Sequence, residues 1–295
     1  METQLIRTFL TVVRTENFTV AAAELHLSQS TVTAQVKALE KLLGVQLFDR
    51  MPRGARPTAA ARRLAPEAGA VLEAEARLRA AAADSEPSGT VAVAAGDTLC
   101  SAHLPHVIVA LRRSHPNIAV HLFPAGTQAA VEGLRSGRLD LALLLEDSVA
   151  FPGLTASVIA TEPLSLVGPP GHPLASLRKP ADWPRLAEED VFLHEEGCSY
   201  SDRIAGLLQA ASGARTRLTR LGSSEAVRNC VMAGLGISIL PAAAVENALR
   251  EERLTVIRGP ALPDVSVQLV RHGERWTSPA VRVVVEALTK HFATA

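Results

Sequence analysis

The sequence predicts two unlike parts joined by a long helix: an N-terminal all-α module with a β-wing, and a larger C-terminal α/β domain of two lobes. Three observations predict this. Apolar residues recur at helical spacing up to about residue 84. From Thr90 onward, short buried-strand runs alternate with helices. Basic charge, finally, gathers near the N-terminus. With 47% apolar and 20% charged residues over 295 positions, a disordered or fibrous chain is excluded. Lys and Arg number 30, as do Asp and Glu, and this zero balance taken alone argues against a nucleic-acid partner. The distribution reverses that reading. Residues 1–63 hold nine basic side chains against five acids, leaving the remainder at −4, and five Arg accompany one Asp between Asp49 and Arg63.

Leu5, Ile6, Phe9, Leu10, Val12 and Val13 form the stripe of a first amphipathic helix. Thr19 is suited to cap a second helix carrying Val20, Ala21, Ala23 and Leu25, whose small side chains let another helix cross closely. His26, Leu27 and Ser28 make a turn. A third helix, from Gln29 to about Leu43, buries Val32, Val36, Leu39, Leu42 and Leu43, with Gly44 as a left-handed C-cap. Helix, three-residue turn and helix is the layout of a DNA-binding helix-turn-helix. The positions left for solvent, Gln29, Ser30, Thr31, Thr33, Gln35 and Lys37, with Ser28 just ahead, are short and polar. Gln pairs bidentately with adenine, and Ser or Thr reaches phosphates and base edges. A plain solvated face more often carries Glu and Lys four apart. Residues 45–48 read as a strand and residues 50–57 as an Arg-rich turn, a wing whose Arg50, Arg53 and Arg56 would hold the DNA backbone or enter the minor groove. Residues 58–84 form one long helix with Leu64, Ala68, Val71 and Leu72 on a stripe, Leu78 beyond, and Pro66 placed to kink it. A turn, residues 85–89, follows.

In the C-terminal part, residues 90–95, 118–123 and 139–145 read as strands separated by helices 101–114 and 127–136. A second set of strands lies near 164–167, 191–194, 237–240 and 254–257, then a strand at 265–270 and a closing helix at 277–291. This spacing predicts parallel α/β lobes with a cleft at strand carboxyl ends and helix N-termini. The predicted boundaries are 1–58 for the winged module, 59–87 for the linker helix and 88–295 for the two-lobed domain. Lobe I takes about 88–161 and 268–295, lobe II about 162–267.

One stretch has a specific likeness. Phe18-Thr19-Val20-Ala21-Ala22, Leu25-His26-Leu27-Ser28-Gln29-Ser30-Thr31-Val32-Thr33, Gln35-Val36, Leu39-Glu40, Leu43-Gly44-Val45 and Leu47-Phe48-Asp49-Arg50 stand at the spacing of the N-terminal signature of LysR-type transcriptional regulators, which this chain resembles. Ala34 departs from the family's usual long polar residue, and Pro57 and Ala61 replace a usual apolar residue and a usual Gly. Further on, Pro105, Pro116, the stretch 133–140, His172-Pro173-Leu174 and the stretch 234–241 resemble landmarks of the family's effector domain, which is similar to periplasmic solute-binding proteins. The resemblance implies a cytoplasmic dimer or dimer of dimers paired through the linker helix. It also implies an inverted-repeat promoter site in double-stranded DNA, RNA polymerase as a further partner, no cofactor, and a small-molecule effector in the interlobe cleft. By carry-over the effector residues are Thr98, Thr127, Ser199, Tyr200 and Ser223. Hydroxyls and N–H groups at helix starts receive a carboxylate or another anion, although Thr98, Thr127, Ser199 and Ser223 are equally plain N-caps.

Enzymatic readings find no foothold: there is no Walker-type loop, no GxSxG and no HExxH. His103 and His106 read as ordinary helix-start residues, with no metal site. The N-terminus lacks a signal-peptide pattern, and the longest charge-free apolar-looking stretch, 229–245, falls just short of the ~18 residues of a membrane span. Three cysteines, Cys100, Cys198 and Cys230, suit a reducing compartment. Two alternatives stand beside the main reading. One is a thiol-based redox regulator using Cys198, at a helix N-terminus that would lower its pKa, with Cys230 the next cysteine along. The other is a small-molecule-binding protein without DNA binding, supported by Ala34 and the altered wing.

Overall fold

The computed structural model describes residues 2–50, 54–82, 86–147, 150–212 and 216–294, which fall into two compact units. The first contains α1 (Thr3–Thr15), α2 (Phe18–Glu24), α3 (Gln29–Leu43), a hairpin of β1 (Phe48–Arg50) and β2 (Ala55–Pro57), and α4 (Ala59–Ala82). Its core is built from Phe9 and Val12 of α1, Ala21 and Ala22 of α2, and Val32, Val36 and Leu39 of α3, closed by Leu47 and Phe48. The Phe48 ring meets Phe9 and Phe18 edge-on, with centroids 6.0 and 5.7 Å away. Leu42 and Leu43, expected inside, are 58% and 40% exposed, because the last turn of α3 runs past the core.

Asn17, not Thr19, caps α2. Its backbone is extended, and its Oδ1 accepts the Thr19 and Val20 N–H groups at 2.8 and 3.2 Å. Gly44, at φ 68°, ends α3 in the left-handed region as expected. The wing begins later than the sequence suggests, at Phe48. The Leu47 and Phe48 N–H groups are already taken by the Glu40 carboxylate, at 2.7 and 3.3 Å, which anchors the strand to α3. Thr58 caps α4 by accepting the Ala61 N–H at 3.2 Å, and the helix continues through Pro66. Glu75 of α4 accepts from Thr3 at 3.1 Å and pairs with Arg79 at 2.6 Å, fixing α1 against α4.

The second unit opens with β3 (Gly89–Ala95), a π-helical turn Leu99–His103 running into α5 (Leu104–Ser114), β4 (Ile118–Pro124), α6 (Thr127–Ser136), β5 (Leu141–Leu145) and β6 (Leu154–Glu162). The chain then forms β7 (Leu164–Gly168), α7 (Trp183–Leu186), β8 (Asp190–His194), α8 (Ser199–Ser212), β9 (Arg217–Leu221), α9 (Ser224–Met232), β10 (Ile237–Pro241), α10 (Ala242–Arg250) and β11 (Thr255–Val256). It returns through β12 (Val265–His272) and closes with α11 (Pro279–Thr294). Two five-stranded sheets result, in the orders β4-β3-β5-β12-β6 and β11-β7-β10-β8-β9. Parallel pairing, expected throughout, is confined to β4-β3-β5 and to β10-β8-β9. β12 runs antiparallel to β5 and β6, and β7 antiparallel to β10 and β11. The reason is topological: β6 passes straight into β7, and β12 leads back, without the crossover helix that a parallel pair requires.

Neighbouring residues on each central strand pack opposite ways. Val93, Leu141 and Leu143 meet Val284 and Leu288 of α11 on one face of the first sheet. Ala94, Ala142 and Leu144 meet Leu134 of α6 on the other. In the second sheet Val191, Leu193 and Ile239 pack on Ile204 and Leu208 of α8, while Phe192 and Leu240 pack on Val227 and Val231 of α9. Gly236 permits this second arrangement, since a Cβ there would lie 2.0 Å from the Asp190 carbonyl oxygen.

Candidate functional site

The N-terminus of α3 is the candidate DNA face. Ser28 is its N-cap, accepting the Thr31 N–H at 3.1 Å, and the Ser30 and Thr31 hydroxyls each lie 2.8 Å from the Ser28 oxygen. Ser28, Gln29, Ser30 and Lys37 are exposed, and Thr31 and Thr33 half-buried. Gln35 departs from expectation. It flanks the buried stripe of α3 and turns toward α1, where its Oε1 accepts the hydroxyl of fully buried Thr8 at 2.6 Å. That bond ties two helices together and gives Gln35 a packing role through its oxygen. Arg56 is exposed on β2, opposite Asp49 of β1. Arg50 takes its place in β1 opposite Ala55, but its side chain, like the whole of Arg53, lies outside the described residues.

In the second unit a cavity of about 440 Å³ opens at the carboxyl ends of β3, β4, β5 and β8. Gly96, Asp97 and Thr98 after β3, Thr127 at the start of α6, and Glu146 after β5 form one wall; residues 194–198 and Ser224 form the other. The walls are hydrogen-bonded to each other. Asp97 Oδ2 accepts the Ser224 N–H at 2.8 Å, the first amide of α9. The Thr98 and Ser224 hydroxyls, both buried, are 3.3 Å apart. Ser199 donates to the Leu145 carbonyl at 3.1 Å. Within the first wall the Thr127 hydroxyl donates to the Glu146 carboxylate.

Of the five residues proposed for an effector, Thr98, Thr127 and Tyr200 line this cavity. Ser199 and Ser223 are not among its described lining. Ser199 spends its hydroxyl on β5, and Ser223 caps α9 by accepting the Glu225 and Ala226 N–H groups at 3.2 and 3.4 Å. Thr98 is no cap: its backbone is helical and its side chain makes no capping bond. Sequence reasoning missed Asp97, Glu146, His194 and Ser224. Their one available signal is position, since the first three end or closely follow a buried strand run.

The Cys198 thiol does not favour the redox alternative, which expects a lowered pKa. Burial pushes it up to about 11 despite hydrogen bonds from the Ser201 backbone and Tyr200, and the Glu146 and Asp202 charges add to the rise. Cys198 packs with the core against α8, whereas Cys230 belongs to the core on the opposite sheet face. The histidines also depart from expectation. His103 lies 3.3 Å from both Glu162 and His291, and the other Glu162 oxygen accepts the Ala243 N–H at 2.9 Å. His106 stacks on His291, centroids 6.2 Å apart. Burial, then the neighbouring His103 and His106, hold the His291 pKa below its usual value. Among the described residues no group of His, Cys, Asp or Glu is arranged to hold a metal ion, and no helix is long and apolar enough to cross a membrane.

Comparison with known proteins agrees with both halves of this geometry. Residues 3–62 match the family described as bacterial regulatory helix-turn-helix protein, lysR family, and residues 84–293 match the LysR substrate binding domain. The transcriptional regulator CbbR of Xanthobacter flavus is 31% identical, over 93% of this chain and 83% of its own. A probable hydrogen peroxide-inducible genes activator of Mycobacterium avium is 34% identical, over 84% and 80%. Among solved structures, a full-length OxyR variant from Pseudomonas aeruginosa superposes with a TM-score of 0.78 at 25% identity, covering 99% of this chain and 94% of that one. Full-length CbnR bound to its target DNA gives 0.63 at 28% identity, covering 99% and 100%. A helix-turn-helix with an exposed polar recognition helix, followed by a two-sheet domain with a cavity at its strand ends, therefore has its family: the chain belongs to the LysR family of DNA-binding transcriptional regulators.

Proposed function

We propose that this regulator is a homo-oligomer that works in the cytoplasm and is switched by a small molecule taken up between the two sheets of its C-terminal domain. The observation that carries this reading is the cavity whose walls are joined by the Asp97–Ser224 and Thr98–Ser224 bonds. A ligand that rearranges these bonds favours one relation of the lobes over another, and only such differential contact shifts an equilibrium. Gln29, Ser30 and Thr33 read or position on the major groove, and Arg50, Arg53 and Arg56 hold the backbone. The linker helix α4 pairs with its counterpart: Leu64 packs partly on the winged module, while Val71 and Leu78, one and two heptads on, stand 39% and 72% exposed. No step of this reading needs an enzymatic activity.

The test is a footprint on the DNA upstream of the protein's own gene, with candidate metabolites, for wild type and Thr98→Val. The variant is expected to bind DNA normally and to lose the ligand-dependent change. An unaltered ligand response in Thr98→Val overturns the assignment. On the DNA side, Gln29→Ala is expected to relax sequence preference, and Arg56→Ala to weaken all sequences and lessen the salt slope. Equal losses on specific and random DNA for both variants contradict those roles.

A further inference from the structure

The wing that carries Arg56 is too small to hold its own shape, and a side chain of the recognition helix holds it. We propose, resting on the reading of Arg56 as a contact to the DNA backbone, that Glu40 is a positioning residue for DNA binding. Its carboxylate sets the wing against α3, so that the recognition face and Arg56 meet the duplex as one piece. β1 and β2 are three residues each, and a lone two-stranded hairpin is at best marginally stable in water. The base of this one is also short of ladder bonds, since Phe48 stands opposite Pro57, which has no N–H to donate. Outside partners fill the gap. Glu40 Oε1 accepts the Leu47 and Phe48 N–H groups at 2.7 and 3.3 Å. The Pro57 carbonyl accepts from the Arg62 guanidinium at 2.6 Å, and the Ala55 N–H donates to the Glu16 carbonyl at 2.6 Å.

Of these bonds, the Glu40 pair is the one that reaches α3. Glu40 is half-buried on the same helix as Gln29, Ser30 and Thr33, about two to three turns further on. Apolar packing of Leu47, Phe48 and Ala55 keeps the wing attached to its module, but such packing is non-directional and leaves small rotations free. One carboxylate oxygen shared by two successive N–H groups removes that freedom, because charge-assisted bonds are short and geometrically demanding. Leu47 and Phe48 are both buried, so without the carboxylate their N–H groups have no partner at hand and the start of β1 must shift to find one. Arg56 stands close to that clamp. The pair Asp49 and Arg56 follows directly on the pair Phe48 and Pro57, so a shift of β1 passes across the ladder to the arginine.

The test is fluorescence anisotropy of the full chain on the DNA upstream of its own gene, over a salt series. Wild type is compared with Glu40→Gln, Glu40→Asp, Arg56→Ala, and Glu40→Asp combined with Arg56→Ala. Glu40→Gln keeps an acceptor at the same reach and removes the charge. Glu40→Asp keeps the charge and draws the acceptor back by about 1.5 Å, one C–C bond. Charge alone would make Glu40→Gln the tighter binder and leave Glu40→Asp unchanged. Positioning predicts another order. Glu40→Asp is expected to weaken binding about three- to tenfold and to lower the salt slope by about 0.9, one phosphate contact, as Arg56→Ala does. Glu40→Gln is expected to restore both to near the wild-type values. The double variant is expected within about twofold of the weaker single one, because an arginine already displaced has little left to lose. Wild-type affinity and slope in Glu40→Asp overturn the proposal, and so do losses that multiply in the double variant; in either case Arg56 keeps its role on DNA. Unaltered affinity and slope in Arg56→Ala overturn the reading of the wing and the proposal with it.

Discussion

Two substitutions at Ser28 separate what it does for the recognition helix from what it does for DNA. Its oxygen lies 3.1 Å from the Thr31 N–H, satisfying one of the free amides at the start of α3. Ser28→Ala removes that bond, and loss of such a cap costs about 1 kcal/mol. At ~1.4 kcal/mol per decade, that raises the local opening constant of α3 by about fivefold. Ser28→Asp keeps the acceptor and adds a negative charge, which favours the helix N-terminus but repels phosphate. The assays are hydrogen exchange by mass spectrometry on the full chain and fluorescence anisotropy on a promoter fragment across a salt series. Ser28→Ala should speed exchange of the α3 amides by about fivefold, and weaken DNA binding modestly and equally on all sequences. Ser28→Asp should leave exchange as slow as wild type, or slower, and weaken DNA binding more than Ser28→Ala. Unaltered exchange in Ser28→Ala refutes the cap. Wild-type affinity in Ser28→Asp refutes the placement of this helix end against phosphate.

Other perturbations follow from the same geometry. Gln35→Ala strands the buried Thr8 hydroxyl and should cost about 1–3 kcal/mol in urea unfolding, recovered in part by adding Thr8→Val, with sequence preference unchanged; a changed preference at wild-type stability contradicts this. Cys198, its thiol held up to about 11, should resist stoichiometric peroxide at neutral pH, and selective oxidation there by peptide mass spectrometry would count against the buried-thiol picture. His291 takes up a proton less readily folded than unfolded, so its contribution to stability is present above about pH 6.5 and lost as pH falls through its lower folded pKa. Thermal midpoints at pH 7.5 and 5.5 should therefore fall apart more for wild type than for His291→Gln, and equal falls would show that the ring does not couple to stability.

How much of this was legible in the sequence depended on how local the cause was. The three helices of the winged module declared themselves because each buries its own stripe, Phe9 and Val12, then Ala21, then Val32, Val36 and Leu39. Caps were harder: Asn17 and Thr19 both favour that role, and only the extended backbone of Asn17 decides between them. Strands β6 and β9 escaped notice because they are sheet-edge strands with mixed polar and apolar residues and no continuous buried run. Strand direction was hidden too, since it follows from how the chain crosses between lobes. The cavity was legible only as a place. Asp97, Glu146, His194 and Ser224 are scattered over more than a hundred positions, and folding alone gathers them. The zero net charge, which first argued against DNA, concealed both the basic winged module and the acidic cavity.

The measurement that tests the central claim most directly is the affinity of the full chain for the DNA upstream of its own gene, against random DNA of equal length, over a range of salt. The account predicts a protected inverted repeat, tighter binding to it than to random sequence, and log affinity falling linearly with log salt at about 0.9 per phosphate contact. Equal affinity for both fragments at every salt concentration, or binding that salt does not weaken, would contradict it.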